Sequence, residues 1–212
     1  ALKLAGINSV TQDPHGGRIE KDKEGEPTGM LIDRATALVE KLIPPRTRHE
    51  DKRDLQVGIN RNVSLGWTQV QIAGGTFSDV ELLEEIKGEG NLLQRIYFAV
   101  SEGEPAKELL EKGPILDPEH MLTVRGIKHY ADGALGSRGA AMRKPYSDRE
   151  NHFGALIYSP ERYQEIARQI AASEFQMNTH AIGDSANTWL VRTYKDVLSN
   201  KENSRWRIEH AH

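Results

Sequence analysis

The chain has 212 residues, 28 lysines and arginines against 31 aspartates and glutamates, a formal net charge of −3, and no cysteine. A soluble chain of this length with 37% apolar residues can bury one sizeable core, so a disordered or fibrous segment is excluded. Without a basic excess nucleic acid is not an expected partner, no apolar run approaches the roughly 20 residues that span a bilayer, and any metal must be held by nitrogen and oxygen, in a setting read as cytoplasmic.

In chain order, the opening ALKLAGI reads as the end of a helix, and a loop follows. Apolar residues at helical spacing predict a helix from Asp33 to Leu42, stopped by Pro44 and Pro45. A second helix is predicted over residues 49–65. The stretch 67–73 reads as a strand ended by paired glycines, and Ser78 or Asp79 is expected to cap the helix after it. The alternation then repeats as strand 93–100, helix 105–113 and strand 122–131, before a Gly-rich insertion that runs to Tyr158. Helix 161–173 follows Ser159 as cap and Pro160 in its first turn, and strand 175–182, helix 185–198 and strand 205–212 complete the series. Strands separated by helices, with no hairpin signal between them, predict a parallel α/β arrangement. Because a closed eight-stranded barrel takes about 250 residues, the expectation is a partial TIM (β/α)8-type barrel. The sequence begins without methionine and stops within a strand pattern, so both ends are expected to be cut.

Four residues with metal chemistry fall where these strands end: Lys128 in GIKHYADG, His180 in NTHAIGD, and His210 and His212 in RIEHAH. At the C-terminal rim of a parallel barrel such side chains converge, because strands hold them rigidly while the following loops leave room for substrate. Strand alternation puts Ile208, His210 and His212 on one face, Asn178 with His180 on another, and Lys128 with Tyr130 and Asp132 on a third. Asp132, Ser137 and Arg138 lie in ADGALGSRG, at the mouth, and are candidate substrate contacts.

Each residue also has a plainer reading. A single buried histidine at a strand end is more often a hydrogen-bonded core residue than a ligand, and a strand lysine often pairs with a carboxylate, for which Asp132 is at hand. Asp184 reads as a helix cap, and His49, His120 and His129 as surface or packing residues. Trp67, Trp189 and Trp206 read as core or interface aromatics. A phosphate-binding use of GALGSRG is disfavoured, since no lysine-containing P-loop accompanies it.

Four segments, AGINSVTQDPHGGRIEKDKEGEPTGMLIDRA, IKHYADGALGSRGAAMRKPYSD, THAIGDSA and RIEHAH, occur in the order of one family. The chain resembles the amidohydrolase superfamily, in particular its amidohydrolase-3 branch of YtcJ-like and N-substituted formamide deformylase-like proteins. The resemblance implies a metal-dependent hydrolase in which Lys128, carboxylated on its amine, bridges two divalent metals, with zinc as the expected ion. His180 and His210 are then further ligands, and a metal-bound hydroxide attacks an amide-like carbon–nitrogen bond of a small molecule. It further implies that residues 1–212 are the central part of a catalytic barrel, without the first metal-binding strand or the last strands, and inactive alone. No catalytic residue is then expected within it, and its two unpaired sheet edges would favour a homo-oligomer. The sequence departs from the family where His15 replaces a usual proline, His152 an arginine and His212 a glutamine. A catalytically silent α/β scaffold without metal is the alternative.

Overall fold

A computed structural model describes residues 1–211, which form two compact units, Ala1–Thr47 and Arg48 onward. In the first, β1 (Gly17–Lys21) and β2 (Pro27–Asp33) pair antiparallel. The Asp22 carboxylate shapes their turn by accepting from the amides of Glu24 (3.0 Å) and Glu26 (2.9 Å). Ile7, Ile19 and Ala35 form a small apolar core, and a Cβ on Gly17 would stand 2.3 Å from the Ala35 nitrogen. The sequence reads as loop here because one fully buried residue in β1, Ile19, gives too short an apolar pattern to announce a strand. With β2 reaching Asp33, the helix expected from Asp33 to Leu42 shrinks to a 3-10 turn, Arg34–Thr36, and the short α1 (Ala37–Glu40). The ALKLAGI segment forms turns rather than a helix end.

The second unit runs α2 (Arg48–Ser64), β3 (Gln69–Ala73), α3 (Phe77–Gly88), β4 (Arg95–Ser101), α4 (Glu104–Lys112), β5 (Ile115–Leu116), β6 (Leu122–Tyr130), α5 (Pro160–Ala171), β7 (Gln176–Ala181), α6 (Asp184–Val197) and β8 (Arg207–His210). The sheet order is β3-β4-β6-β7-β8, all parallel along that path, with the two-residue β5 added antiparallel to β6. Only β5 escapes the sequence pattern, being too short to show a period. α5 starts as expected, with the Ser159 side chain accepting from Arg162 N and Pro160 in the first turn. α3 starts earlier than expected. Its cap is Thr76, in a reciprocal capping box with Asp79, so Asp79 contributes from the third helical position.

The sheet is curled. Gln71 on β3 donates to Glu209 on β8 at 3.0 Å, although these strands lie at opposite ends of the sheet order. This makes the fold a half-barrel, with helices against its convex side. That side is apolar, with Phe98, Val100, Ile127, Met177 and Leu190 fully buried together with Leu83 of α3. The concave side is polar. The Tyr97 hydroxyl donates to Gln176 Oε1 at 2.6 Å, and the Arg207 guanidinium lies 4.7 Å from the Tyr97 ring centre.

A β-bulge sets which residues of β6 face the concavity. Opposite Phe98 and Ala99 of β4 stand Val124 and Gly126, so Arg125 is the extra residue. Val124 and Ile127, three apart, therefore both enter the apolar core, and Lys128 turns to the concave face. Gly126 has no alternative at this point, because a Cβ would lie 2.7 Å from both Ala99 Cβ and Asn178 Nδ2. Among the described residues, no helix is long and apolar enough to cross a membrane.

Candidate metal centre at the strand ends

The C-terminal ends of β6, β7 and β8 bring Lys128, His180 and His210 into one neighbourhood. In register, Ser101 pairs with Lys128, Lys128 with Asn178, Tyr130 with His180, and His180 with Glu209. The His180 and His210 rings meet edge to face with centroids 4.6 Å apart, and the Tyr130 ring lies 5.5 Å from His180 and 5.2 Å from Lys128 Nζ.

Lys128 is buried, at 3% exposure, and makes no ion pair among the described residues. Burial holds its ammonium pKa below the ordinary value; the nearby Glu209 opposes this shift and Arg207 reinforces it. Burial likewise lowers the His180 pKa, with the Gly133 carbonyl opposing and His210 and Lys128 contributing in the same direction as burial. His180 Nε2 lies 3.4 Å from the Gly133 carbonyl oxygen. A carbonyl can only accept, so this contact places the proton on Nε2 and leaves Nδ1 with its lone pair.

His210 arrives by a different route from the one alternation suggests. The register places Arg207 and Glu209 on the concave face beside Asn178 and His180, while Ile208 packs into the core. Regular pleating would send His210 the way of Ile208. Instead its backbone takes a left-handed conformation, φ 76°, which returns the ring to His180. His212, the other histidine of that motif, lies outside the described residues.

The three candidate substrate contacts each have an internal partner. Asp132 is 1% exposed, and its carboxylate accepts from the amides of Ala141 (2.8 Å), Ile182 (3.0 Å) and Gly183 (2.8 Å). It joins the end of β6, the insertion and the turn into α6. Its Oδ1 is also 3.8 Å from His180 Nε2, so it supports the histidine rather than pairing with Lys128. Ser137 Oγ donates to the Ala134 carbonyl at 3.2 Å. Arg138 Nε and Nη2 donate to the Asp148 carboxylate at 3.1 and 2.8 Å.

The insertion is built rather than slack. Gly133 and Gly139 pack backbone to backbone, a Cβ on Gly183 would sit 2.0 Å from the Ala141 oxygen, and the His152 ring meets the Arg138 carbonyl at 2.8 Å. Asp184 does not cap α6, whose cap residue is Gly183; its carboxylate accepts from Arg143 N of the insertion at 2.9 Å. His129 is buried on the helix side, 2.6 Å from Glu102 Oε2 and edge-on to Tyr163, which is a packing role. Trp189 and Trp206 meet Tyr163 and Tyr194 edge to face, whereas Trp67 is 60% exposed. Three residues of the concave face, Ser101, Tyr130 and Glu209, went unassigned from sequence. For Tyr130 the signal existed, since it stands two residues from Lys128 on the same strand.

Among the described residues, no three His, Cys, Asp or Glu side chains cluster closely enough to hold a metal ion. The two imidazoles have an amine as their neighbour. A curled parallel sheet with helices outside and titratable groups at its C-terminal rim defines an α/β half-barrel. The chain belongs to the amidohydrolase family (Amidohydro_3), which it matches over residues 1–212. It is 33% identical to protein LONG AFTER FAR-RED 3 of Arabidopsis thaliana, over 100% of this chain and 38% of that one. It is 26% identical to N-substituted formamide deformylase of Arthrobacter pascens, over 100% of this chain and 41% of the relative. The chain thus spans about two fifths of the length of the curated relatives it matches. Its fold is similar to the crystal structure of an uncharacterized metal-dependent hydrolase from Pyrococcus furiosus, with a TM-score of 0.66 and 22% identity over 92% of this chain and 40% of that chain.

Proposed function

We propose that Lys128, His180 and His210 are one side of a divalent-metal centre in a hydrolase that cleaves amide-like carbon–nitrogen bonds of small molecules. The observation that carries this reading is the convergence of two imidazoles, centroids 4.6 Å apart, beside a buried lysine without an ion-pair partner among the described residues. The donor chemistry fits a zinc-like cation. His180 offers Nδ1 while the Gly133 carbonyl holds Nε2, the kind of outer contact that orients a metal-binding histidine.

Lys128 fits only in altered form, because an ammonium would repel a cation. Burial favours its neutral amine, which is the form that adds to CO2: a nitrogen–carbon bond forms, a proton leaves, and the product is an anion with two oxygens. When bound, a divalent cation polarises the scissile carbonyl and acidifies water, which is the chemistry an amide requires. The chain's own residues then hold the centre. Asp132 fixes the loop carrying Gly133, and the polar floor of Gln71, Tyr97, Arg207 and Glu209 keeps the half-barrel in shape. Relatives of greater length support the view that segments beyond these residues complete the catalytic unit. The relative that is a formamide deformylase supports the carbon–nitrogen specificity.

The test is elemental analysis of the full-length protein, with a hydrolysis screen over N-formyl and N-acyl amides. The expected result is about two equivalents of divalent metal per chain, amide cleavage, and loss of metal in Lys128→Ala. A carbamate carbon resonance should appear when the protein is equilibrated with labelled bicarbonate. Full metal content and activity in Lys128→Ala would overturn the assignment.

A further inference from the structure

The three polar residues that sequence places at the mouth are already engaged: Asp132 by three amides, Ser137 by the Ala134 carbonyl and Arg138 by Asp148. Tyr130 is not. Its hydroxyl makes no hydrogen bond to any described residue, its side chain is 36% exposed, and its ring faces the space next to both Lys128 and His180. The space beside it is kept open by Gly74, at the end of β3. A side chain there would begin 3.4 Å from Ser101 Oγ, 3.5 Å from Lys128 Cγ and 3.8 Å from the Tyr130 hydroxyl. With φ at +115°, position 74 resists any residue but glycine, so the gap is fixed by the backbone. Ser101 Oγ is likewise without a hydrogen bond among the described residues. Two unengaged hydroxyls thus border the spot that a methyl group on Gly74 would fill, against the candidate metal ligand Lys128.

The geometry points to a substrate subsite formed by Gly74, Ser101 and Tyr130, in which Tyr130 is a catalytic residue that donates a hydrogen bond to the carbonyl oxygen of a bound amide. This deepens the proposed hydrolase function and rests on it. A phenol placed where negative charge develops acts without giving up its proton: as water adds to the carbonyl carbon, the oxygen gains charge and the O–H···O contact strengthens. The contact is worth more in the transition state than in the bound substrate, so its loss falls on kcat rather than on KM. Substrates without a carbonyl or equivalent acceptor at that position gain nothing from it.

The experiment compares the full-length wild type with Tyr130→Phe, which keeps the ring and removes only the oxygen. Metal content, steady-state kinetics on an N-formyl amide and binding of a phosphonamidate analogue by calorimetry are measured for both. Expected are unchanged metal content, kcat lower by about 100- to 1000-fold with KM within about threefold, and phosphonamidate binding weaker by at least about tenfold. A Tyr130→Phe protein with kcat and phosphonamidate affinity within about threefold of wild type overturns the assignment of Tyr130 while leaving the hydrolase reading intact. A wild type that holds metal but neither cleaves amides nor binds the phosphonamidate overturns the hydrolase reading, and this subsite with it.

Discussion

Two lysines at opposite ends of β6 show how one barrel wall separates stability from chemistry. At its start, Lys87 of α3 pairs with the buried Asp117 carboxylate, which also accepts from the amides of Met121 (2.8 Å) and Leu122 (3.3 Å). The pairing raises the Lys87 pKa and holds the Asp117 carboxyl down at about 2. At the end of the same strand, Lys128 is buried without an ion-pair partner among the described residues, and its pKa moves the other way. A charge that is matched on folding belongs to the scaffold. A buried amine left unmatched is a cost to the fold, and such costs concentrate where a protein acts.

Substitutions at the two ends test that contrast directly, and the largest effect is expected at Lys128. Lys128→Met in the full-length protein should lower metal affinity by more than the roughly 10- to 100-fold that loss of a mere supporting partner costs, read as metal retained after dialysis. With metal stripped from both proteins, so that Lys128 is an unmatched buried amine, the same variant should gain about 0.5–2 kcal/mol in denaturant unfolding. A loss of stability between the two metal-free proteins would make Lys128 a structural residue and dissolve the comparison. Next in size is Asp132→Ala. It leaves three buried amides without an acceptor and should cost at least about 3 kcal/mol, with protease cleavage appearing in the insertion.

A third variant, Gly126→Ala, presses a methyl against Ala99 and Asn178 and should cost about 1–3 kcal/mol in the same unfolding assay. A cost near zero would mean that the bulge at Arg125 is loosely held. The smallest effect is expected at the matched end. Because the Asp117 carboxyl is depressed on folding, its contribution is present above its unfolded pKa of about 3.9 and is lost as pH falls through about 2. Acid unfolding of Asp117→Asn should therefore be flatter than wild type between those values. Identical acid profiles would show that the Lys87 pair does not stabilise the start of β6.

Much of the second unit was legible in the sequence because its strands are buried on the helix side and its helices carry an apolar stripe. β4, β6, β7 and α5 lie within two residues of their expected bounds. The hairpin of the first unit was not legible, since its strands bury few residues. The capping of α3 by Thr76 falls two residues before Ser78 and three before Asp79, because serine, threonine and aspartate compete for one role and only the backbone decides among them.

The sequence by itself determined the alternating strand and helix order, the placement of Lys128, His180 and His210 at strand ends, and the family. Hydrophobic period and local motif carry that information within a few residues. Only the tertiary structure decided which way those side chains point. The bulge at Arg125 turns Lys128 out of the core, and a left-handed backbone at His210 swings its ring to His180. Both depend on register against a neighbouring strand, which reverses facing with a shift of one residue and leaves no mark in a local pattern. The partners of Asp132, some fifty residues away at Ile182 and Gly183, are hidden for the same reason: a buried carboxylate is assigned by whichever amides the folded chain brings to it.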